Sequence, residues 1–480
     1  MKLQKKWFIP LLTVLSSSTF AQAFLQNDES LRSDLAWLNQ QGVIQVSTST
    51  WPLSTDALEK ALAHAVPQTK AQRLVLESVQ KTLEANHQLA TVQLKAGTTN
   101  NQLPANFGAA DVSQYQAGLT VQKSAEQWDV HIQGNAESKQ RIDNGNKFNL
   151  DGSYVAGKLW NQWVSFGAIP VYWGPGHDGS LIRGDATRPV VGFLAQRAEQ
   201  DAFETKWLSW LGPWQYQLFA GQLQKYTAVP NTRLLGMRVT IQPLPYLELG
   251  ASRTFQIGGD GQPDSAKAYW NAFVGKDNNC SNAGCVNDQN ASNQLGGFDA
   301  RLNLQPLLQL PISIYGQMIG EDESGKLPSR NTYLAGADYS SSYKQLPYQV
   351  YAEWADTRTS GKVMGYTYNH HQYTDGYYQY GYPLGHSTGG DSEMYSVGGN
   401  IQVDPINRIT GRILYAKVNQ SNSPTDQAFS QDDTLKALEL GWSNQLKTGV
   451  IVQVNGWVSD SDHLARDHGA SIRVKFPLSF

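Results

Sequence analysis

Residues 468–480 read HGASIRVKFPLSF. Ala470, Ile472, Val474, Phe476, Leu478 and Phe480 alternate with Ser471, Arg473, Lys475, Pro477 and Ser479. A period of two puts the first set on one face of an extended strand and the second on the other. The same alternation runs through Val450, Val452, Val454 and Val458, through Ile409, Ile413 and Tyr415, and through Ile312, Ile314 and Met318. A soluble sandwich also alternates, so three further features decide. The segments run about ten residues or longer, enough for a tilted strand to cross a hydrocarbon layer. Short connections (Glu126-Gln127, Leu211-Gly212-Pro213, Leu244-Pro245, Asp404-Pro405-Ile406, Leu446-Lys447-Thr448) alternate with long ones (174–192, 257–292, 360–391, 419–432). The chain then stops on Phe480, an aromatic end to an alternating strand and the usual signal for the outer-membrane barrel insertion machinery.

Strands are predicted near 90–97, 111–123, 128–140, 153–160, 163–173, 202–210, 214–224, 232–242, 246–257, 293–304, 311–321, 332–343, 348–358, 393–403, 408–418, 434–444, 449–459 and 468–480. An even count of about eighteen leaves both chain ends on one side and every long loop on the other. Lipid solvates no backbone group, so such strands must close on themselves. The fold class expected is an all-β transmembrane barrel of antiparallel strands with a small N-terminal periplasmic α-helical domain.

Composition agrees. The 480 residues are 16% charged and 11% aromatic, include 43 glycines and carry a net charge of −3. A near-neutral chain without basic blocks lacks the cationic face that nucleic acid requires. A mean hydropathy of −0.43 excludes a bundle of transmembrane helices. Residues 1–23 read as a secretory signal peptide: Lys2, Lys5 and Lys6, then an apolar stretch from Trp7 to Leu15, then Ala21-Gln22-Ala23 as the cleavage site. Its removal takes away three of the 38 basic residues and leaves a net charge of −6. Export implies an oxidising compartment, in which Cys280 and Cys285 are a candidate disulfide.

Residues 24–88 have a helical period and are assigned to a periplasmic helical bundle, with the barrel at 89–480. Leu31, Leu35 and Leu38 form one stripe, Leu58, Ala61, Leu62 and Ala65 a second behind a cap at Ser54 or Thr55, and Leu76, Val79 and Leu83 a third. Three such helices must bury their stripes on one another or on a neighbouring surface, as a docking or plug domain does.

Two outer loops carry candidate binding chemistry. Residues 364–384, MGYTYNHHQYTDGYYQYGYPL, hold Tyr366, Tyr368, Tyr373, Tyr377, Tyr378, Tyr380 and Tyr382, seven of the 22 tyrosines, interleaved with Asn369, His370, His371 and Asp375. A tyrosine ring offers a flat apolar face to the C–H side of a sugar and a hydroxyl to its polar edge. Asn, Asp and His add hydrogen-bonding groups for sugar hydroxyls. A loop folded into the barrel mouth needs the same amphipathic ring, so recognition and packing both remain open. Residues 172–192, YWGPGHDGSLIRGDATRPVVG, add Trp173, His177 and Asp178, with Arg183 and Arg188 suited to bidentate pairing with glycan carboxylates or with Asp178, Asp185 or lumen carboxylates. Lumen positions are expected to carry Lys206, Arg238, Glu248, Arg301, Glu353, Arg412, Glu439, Arg473 and Lys475, as a bracing network or a permeation path.

Enzyme motifs lack their contexts. Gly385-His386-Ser387-Thr388-Gly389 matches G-x-S-x-G, but a tyrosine-rich loop precedes it and a strand follows, where a nucleophile elbow needs strand then helix. Adjacent His370 and His371 point apart unless the backbone bends, which disfavours a metal site with Asp375. No catalytic residue, metal or cofactor is assigned.

Taken together, WGPGHDGSLIRGDATRP, the YTYNHH and DGYYQYGYPLGHS segments, the helical start, the strand count and Phe480 resemble the capsule-assembly Wzi family across essentially the whole mature chain. The resemblance implies a monomeric outer-membrane lectin, not an enzyme. It implies loops outside a Gram-negative cell and the helical domain in the periplasm, with capsular polysaccharide and outer-membrane lipid as partners. The competing expectation from the strand count alone is a sugar-selective outer-membrane porin.

Overall fold

The computed structural model describes residues 22–109, 112–275, 292–324, 327–359, 364–446, 449–463 and 466–478. Nearly all of the segment expected to be a signal peptide, the Cys280–Cys285 pair and Phe480 lie outside the described residues.

Eighteen antiparallel strands close into a barrel. They are β1 (Ala90–Gly97), β2 (Ser113–Ala125), β3 (Trp128–Gln140), β4 (Phe148–Asn149 continued by Tyr154–Leu159), β5 (Gln162–Gly167) and β6 (Val191–Arg197). Next come β7 (Trp214–Gln222), β8 (Arg233–Leu244), β9 (Leu247–Ile257), β10 (Ser292–Asn303), β11 (Ile312–Ser324) and β12 (Leu327–Tyr343). The last six are β13 (Leu346–Asp356), β14 (Glu393–Asp404), β15 (Asn407–Val418), β16 (Asp433–Gln445), β17 (Ile451–Ser461) and β18 (Asp467–Pro477). Closure is made by β18 on β1, with Ile472 opposite Ala96 and Arg473 opposite Lys95.

Two predicted strands need correction. The segment predicted at 163–173 leaves the wall after Gly167, and its end, Tyr172-Trp173, pairs instead with Thr50-Trp51 of the N-terminal domain. The strand predicted at 202–210 is not in the wall. That place belongs to β6, which pairs with β5 and β7. Alternation is blurred in β6 because its lumen-facing Leu194 packs into an apolar cluster inside the barrel rather than meeting water. Lys206 accordingly lies in the connection before β7 and not in the lumen.

The two faces of the wall separate as a lipid-embedded barrel requires. In β15, Ile413 is 61% exposed while its neighbour Arg412 is 6% exposed, the first outward and the second inward. Several inward charges are ion-paired: Arg238 with Asp299 at 2.5 Å, Arg301 with Asp338, and Arg412 with Glu439 at 2.8 Å.

Three helices close one mouth: α1 (Glu29–Gln40), α2 (Thr55–Ala63) and α3 (Lys70–Asn86). Asp28 caps α1 by accepting the Leu31 N–H at 2.8 Å, and Thr69 with Gln72 forms a capping box on α3. Ser54 occupies the cap position of α2 without a side-chain bond. Leu31, Leu35, Leu38, Leu58, Val75, Val79 and Leu83 form one buried cluster, so the three stripes meet. The domain is also tied to the wall. Asp34 pairs with Arg408 at 2.5 Å, Gln40 donates to Ser313 at 3.0 Å, and Asp56 pairs with Lys158 at 2.8 Å.

Candidate functional site

The loop between β5 and β6 does not stay at the rim. It descends through the lumen as a strap and returns, and the Trp173 N–H meets the Arg183 carbonyl at 3.0 Å where its two limbs cross. At its deep end it meets the helical domain: the Gly174 N–H donates to Ser49 at 2.8 Å, and Arg32 of α1 donates to the carbonyls of Gly176 at 2.7 Å and Gly174 at 3.0 Å. The wall receives the strap's tip. Glu353 accepts the N–H groups of His177 at 2.7 Å and Asp178 at 3.0 Å, and Arg412 donates to the Asp178 carboxylate at 2.9 Å. Glycine is needed where the strap passes under the tyrosine-rich loop, because a Cβ on Gly184 would lie 2.5 Å from the Gly385 carbonyl oxygen.

That second loop, between β13 and β14, forms a lid over the strap. Tyr368 donates to the Leu181 carbonyl at 2.7 Å and Tyr377 to the Ile182 carbonyl at 2.9 Å. Tyr373 reaches Gly258 at 3.2 Å, Tyr382 reaches Arg141 at 2.9 Å, and Tyr378 accepts the Gly390 N–H at 3.2 Å. Each of these five rings is buried, its hydroxyl satisfied by a group of the chain. Asp375 accepts the Ala228 N–H at 2.9 Å and the Thr227 hydroxyl at 3.0 Å, so it fastens the lid to the loop after β7.

The candidate residues therefore divide. Trp173, Asp178, Arg183 and Arg188 are buried, with His177 half-buried among them. Arg188 sits in a carboxylate pair, with Glu137 at 2.6 Å and Asp151 at 2.7 Å. Arg183 lies 5.1 Å from the Phe219 ring centroid. Asp185 accepts from Asn27 at 2.7 Å and from the Gly108 N–H at 2.9 Å, and burial pushes its carboxyl up to about 6. What faces outward is Tyr366 and His371, with Asn369, His370, Asp375 and Tyr380 half-exposed. Burial raises the Tyr380 hydroxyl to about 12.

His370 sets the lid's outer turn. Its Nδ1 accepts the N–H groups of Gln372 and Tyr373, both at 3.2 Å. Burial, aided by neighbouring His371, lowers this imidazole to about 3, so it is neutral at ordinary pH. His370, His371 and Asp375 do not converge on a point, since Asp375 turns to Thr227 and Ala228. Ser387 is also turned inward, donating to the Asp178 carbonyl at 3.3 Å.

Arg330 of β12 is a residue that sequence reasoning missed. Its guanidinium stacks 4.0 Å from the centroid of exposed Tyr366 and adds an exposed cation to the outward patch. The two lie 36 positions apart on different elements, so no local spacing signals the pairing.

The comparisons with known proteins agree with this architecture. The family model described as capsule assembly protein Wzi matches residues 84–473. A solved structure presented as Wzi, an outer-membrane protein involved in group 1 capsule assembly in Escherichia coli and a carbohydrate-binding β-barrel, is 43% identical with a TM-score of 0.89. That likeness covers 95% of this chain and 100% of the other. An uncharacterized 55.8 kDa protein in the cps region of Klebsiella pneumoniae is 44% identical over 470 residues, 98% of this chain and 92% of that one. The chain belongs to the Wzi family of capsule assembly proteins, outer-membrane β-barrels.

Proposed function

We propose that this protein is a monomeric outer-membrane lectin that binds exported capsular polysaccharide and holds it at the cell surface, without catalysing a reaction on it. The observation that carries the reading is the division of the lid. Its buried tyrosines hold a fixed backbone, and the outward patch of Tyr366, Arg330, Asn369, His370 and His371 offers a ring, a cation and hydrogen-bonding edges to a glycan. A pre-ordered patch loses little conformational entropy on binding. Each contact with one sugar repeat is weak, but a polymer offers many repeats to many barrels, so avidity retains it.

The buried tyrosines contribute as the framework under that patch. The further partners of this reading are lipid on the apolar face and the insertion machinery at the last strand. A sugar-selective channel is less well supported, because helical domain, strap and lid occupy the lumen. The cavity left between the helices and the wall, near Lys95 and Arg473, measures about 420 Å³.

The test is adsorption of the purified protein to homologous and foreign capsular polymers, with salt varied. Selective, saturable binding is expected, and salt sensitivity if Arg330 meets acidic sugars. Equal or absent binding to all polymers would overturn the lectin reading, and shortening of the polymer would overturn the non-catalytic one.

A further inference from the structure

The loop after β9 carries a helix, α4 (Ala266–Phe273), begun by a Ser265 side-chain cap on the Ala268 N–H at 3.1 Å. This helix lies on the outside of the barrel. In β8 the lumen side is taken by Arg238 and Thr240, which leaves Leu235 and Met237 pointing outward, and in β9 Phe255 and Ile257 point outward. Phe255, Ile257, Leu235 and Met237 pack with Ala272 and Tyr269 of α4. Arg253, also on the outer face, donates to the Phe273 carbonyl at 3.4 Å and to Gln294.

Register fixes the height of the helix. The row it covers runs Met237, Arg253, Gly296, and the next row toward the helical end of the barrel runs Val239, Ala251, Phe298. Val239 is 45% exposed and Phe298 51% exposed, so that row is open apolar wall. In this outer-membrane barrel such a row meets lipid. Thus α4 rests one row above lipid-exposed wall.

Its own surface has three sides. Ala268, Tyr269 and Ala272 take the wall. Ala266, Trp270 and Phe273, at i, i+4 and i+7, form a second apolar stripe in which Trp270 is 61% and Phe273 51% exposed, their rings 5.8 Å apart. Lys267 and Asn271 make the third, polar side. A soluble helix packed on a protein needs one apolar side. A helix lying against a barrel at the membrane surface needs two, one for the wall and one for lipid, with a polar side left for water.

We propose that α4 is an interfacial helix whose Trp270–Phe273 stripe inserts among the acyl chains of the outer leaflet, beside the barrel wall. This does not depend on the glycan reading. The test uses full-length protein carrying Cys280→Ser and Cys285→Ser, reconstituted in outer-membrane lipid, with a spin label introduced singly through Trp270→Cys, Phe273→Cys, Lys267→Cys, Asn271→Cys or, as the lipid reference, Phe298→Cys. Labels at 270 and 273 should match the 298 label, with oxygen collisions favoured over a water-soluble nickel chelate several-fold more than at 267 and 271. Nickel accessibility at 270 and 273 equal to that at 267 would overturn the proposal. Dipolar broadening between labels at 270 would also overturn it, because a second copy of the chain would then cover the stripe.

Discussion

Asp178 at the tip of the strap lies 2.9 Å from Arg412 of the wall, deep inside the barrel, and Tyr351 donates to the same carboxylate at 3.0 Å. A loop that begins at the rim is thereby clamped to the opposite wall by a buried ion pair. Removing one partner leaves the other charge buried without compensation, at a cost of roughly 3–5 kcal/mol. Arg412→Ala, which strands both Asp178 and Glu439, should lower the urea midpoint of the detergent-solubilised protein markedly. The Arg412→Met, Asp178→Asn, Glu439→Gln triple variant should recover much of the loss. An Arg412→Ala midpoint equal to the wild type would show that the clamp does not hold the strap.

Buried and outward tyrosines should behave oppositely. Tyr377→Phe leaves the Ile182 carbonyl without its donor and should cost about 1–3 kcal/mol of stability. Tyr366→Ala should leave unfolding unchanged and weaken polymer adsorption several-fold. Unfolding midpoints and polymer pull-down on both variants check this, and unchanged adsorption by Tyr366→Ala would remove the outward patch as the contact.

Acid should loosen the lid. The His370 imidazole is lowered from 6.5 to about 3, so the unfolded loop takes up a proton before the folded loop does. The stability that neutral His370 confers is complete above about pH 6.5 and is lost progressively as pH falls toward 3. Polymer adsorption should therefore be weaker at pH 5 than at pH 7.5. In His370→Asn, whose amide oxygen can accept the same N–H groups, the dependence should flatten. A flat wild-type profile would show that this turn does not govern binding.

The opposite sign is expected at Asp426, in the loop after β15. Burial raises its carboxyl from 3.8 to about 7, while it accepts the Ala428 and Phe429 N–H groups at 2.9 and 3.1 Å. The folded loop keeps a proton that the unfolded one releases, so stability is greatest below 3.8 and erodes as pH rises to about 7. Asp426→Asn should slow amide exchange across 419–432 at pH 8 and change it little at pH 4. Equal exchange in the two proteins at pH 8 would refute the assignment.

The barrel was legible in the sequence because one rule, alternation, acts on every strand whose two faces meet lipid and a polar lumen. The final strand was predicted at 468–480 and is observed at Asp467–Pro477. The rule failed at β6, where the lumen-facing Leu194 packs into an apolar cluster inside the barrel, and at Tyr172-Trp173, whose extended backbone pairs with the helical domain instead of the wall. The two loops were legible as special by composition. Which tyrosines turn inward was not, because a ring that packs and a ring that binds need the same chemistry, and only the carbonyls of Leu181 and Ile182 beneath Tyr368 and Tyr377 separate the two. The stacking of Arg330 on Tyr366 is tertiary and leaves no trace in spacing.

The hydrogen bonds from Tyr368 and Tyr377 to the strap, and from the strap to Ser49, make a continuous load path. Shear from surrounding fluid, transmitted by a captured polymer, would not end at a dangling loop. It would pass inward along the strap to the stopper at the far end and spread into the surrounding cylinder, so the load is shared among several buried bonds rather than borne by one exposed turn.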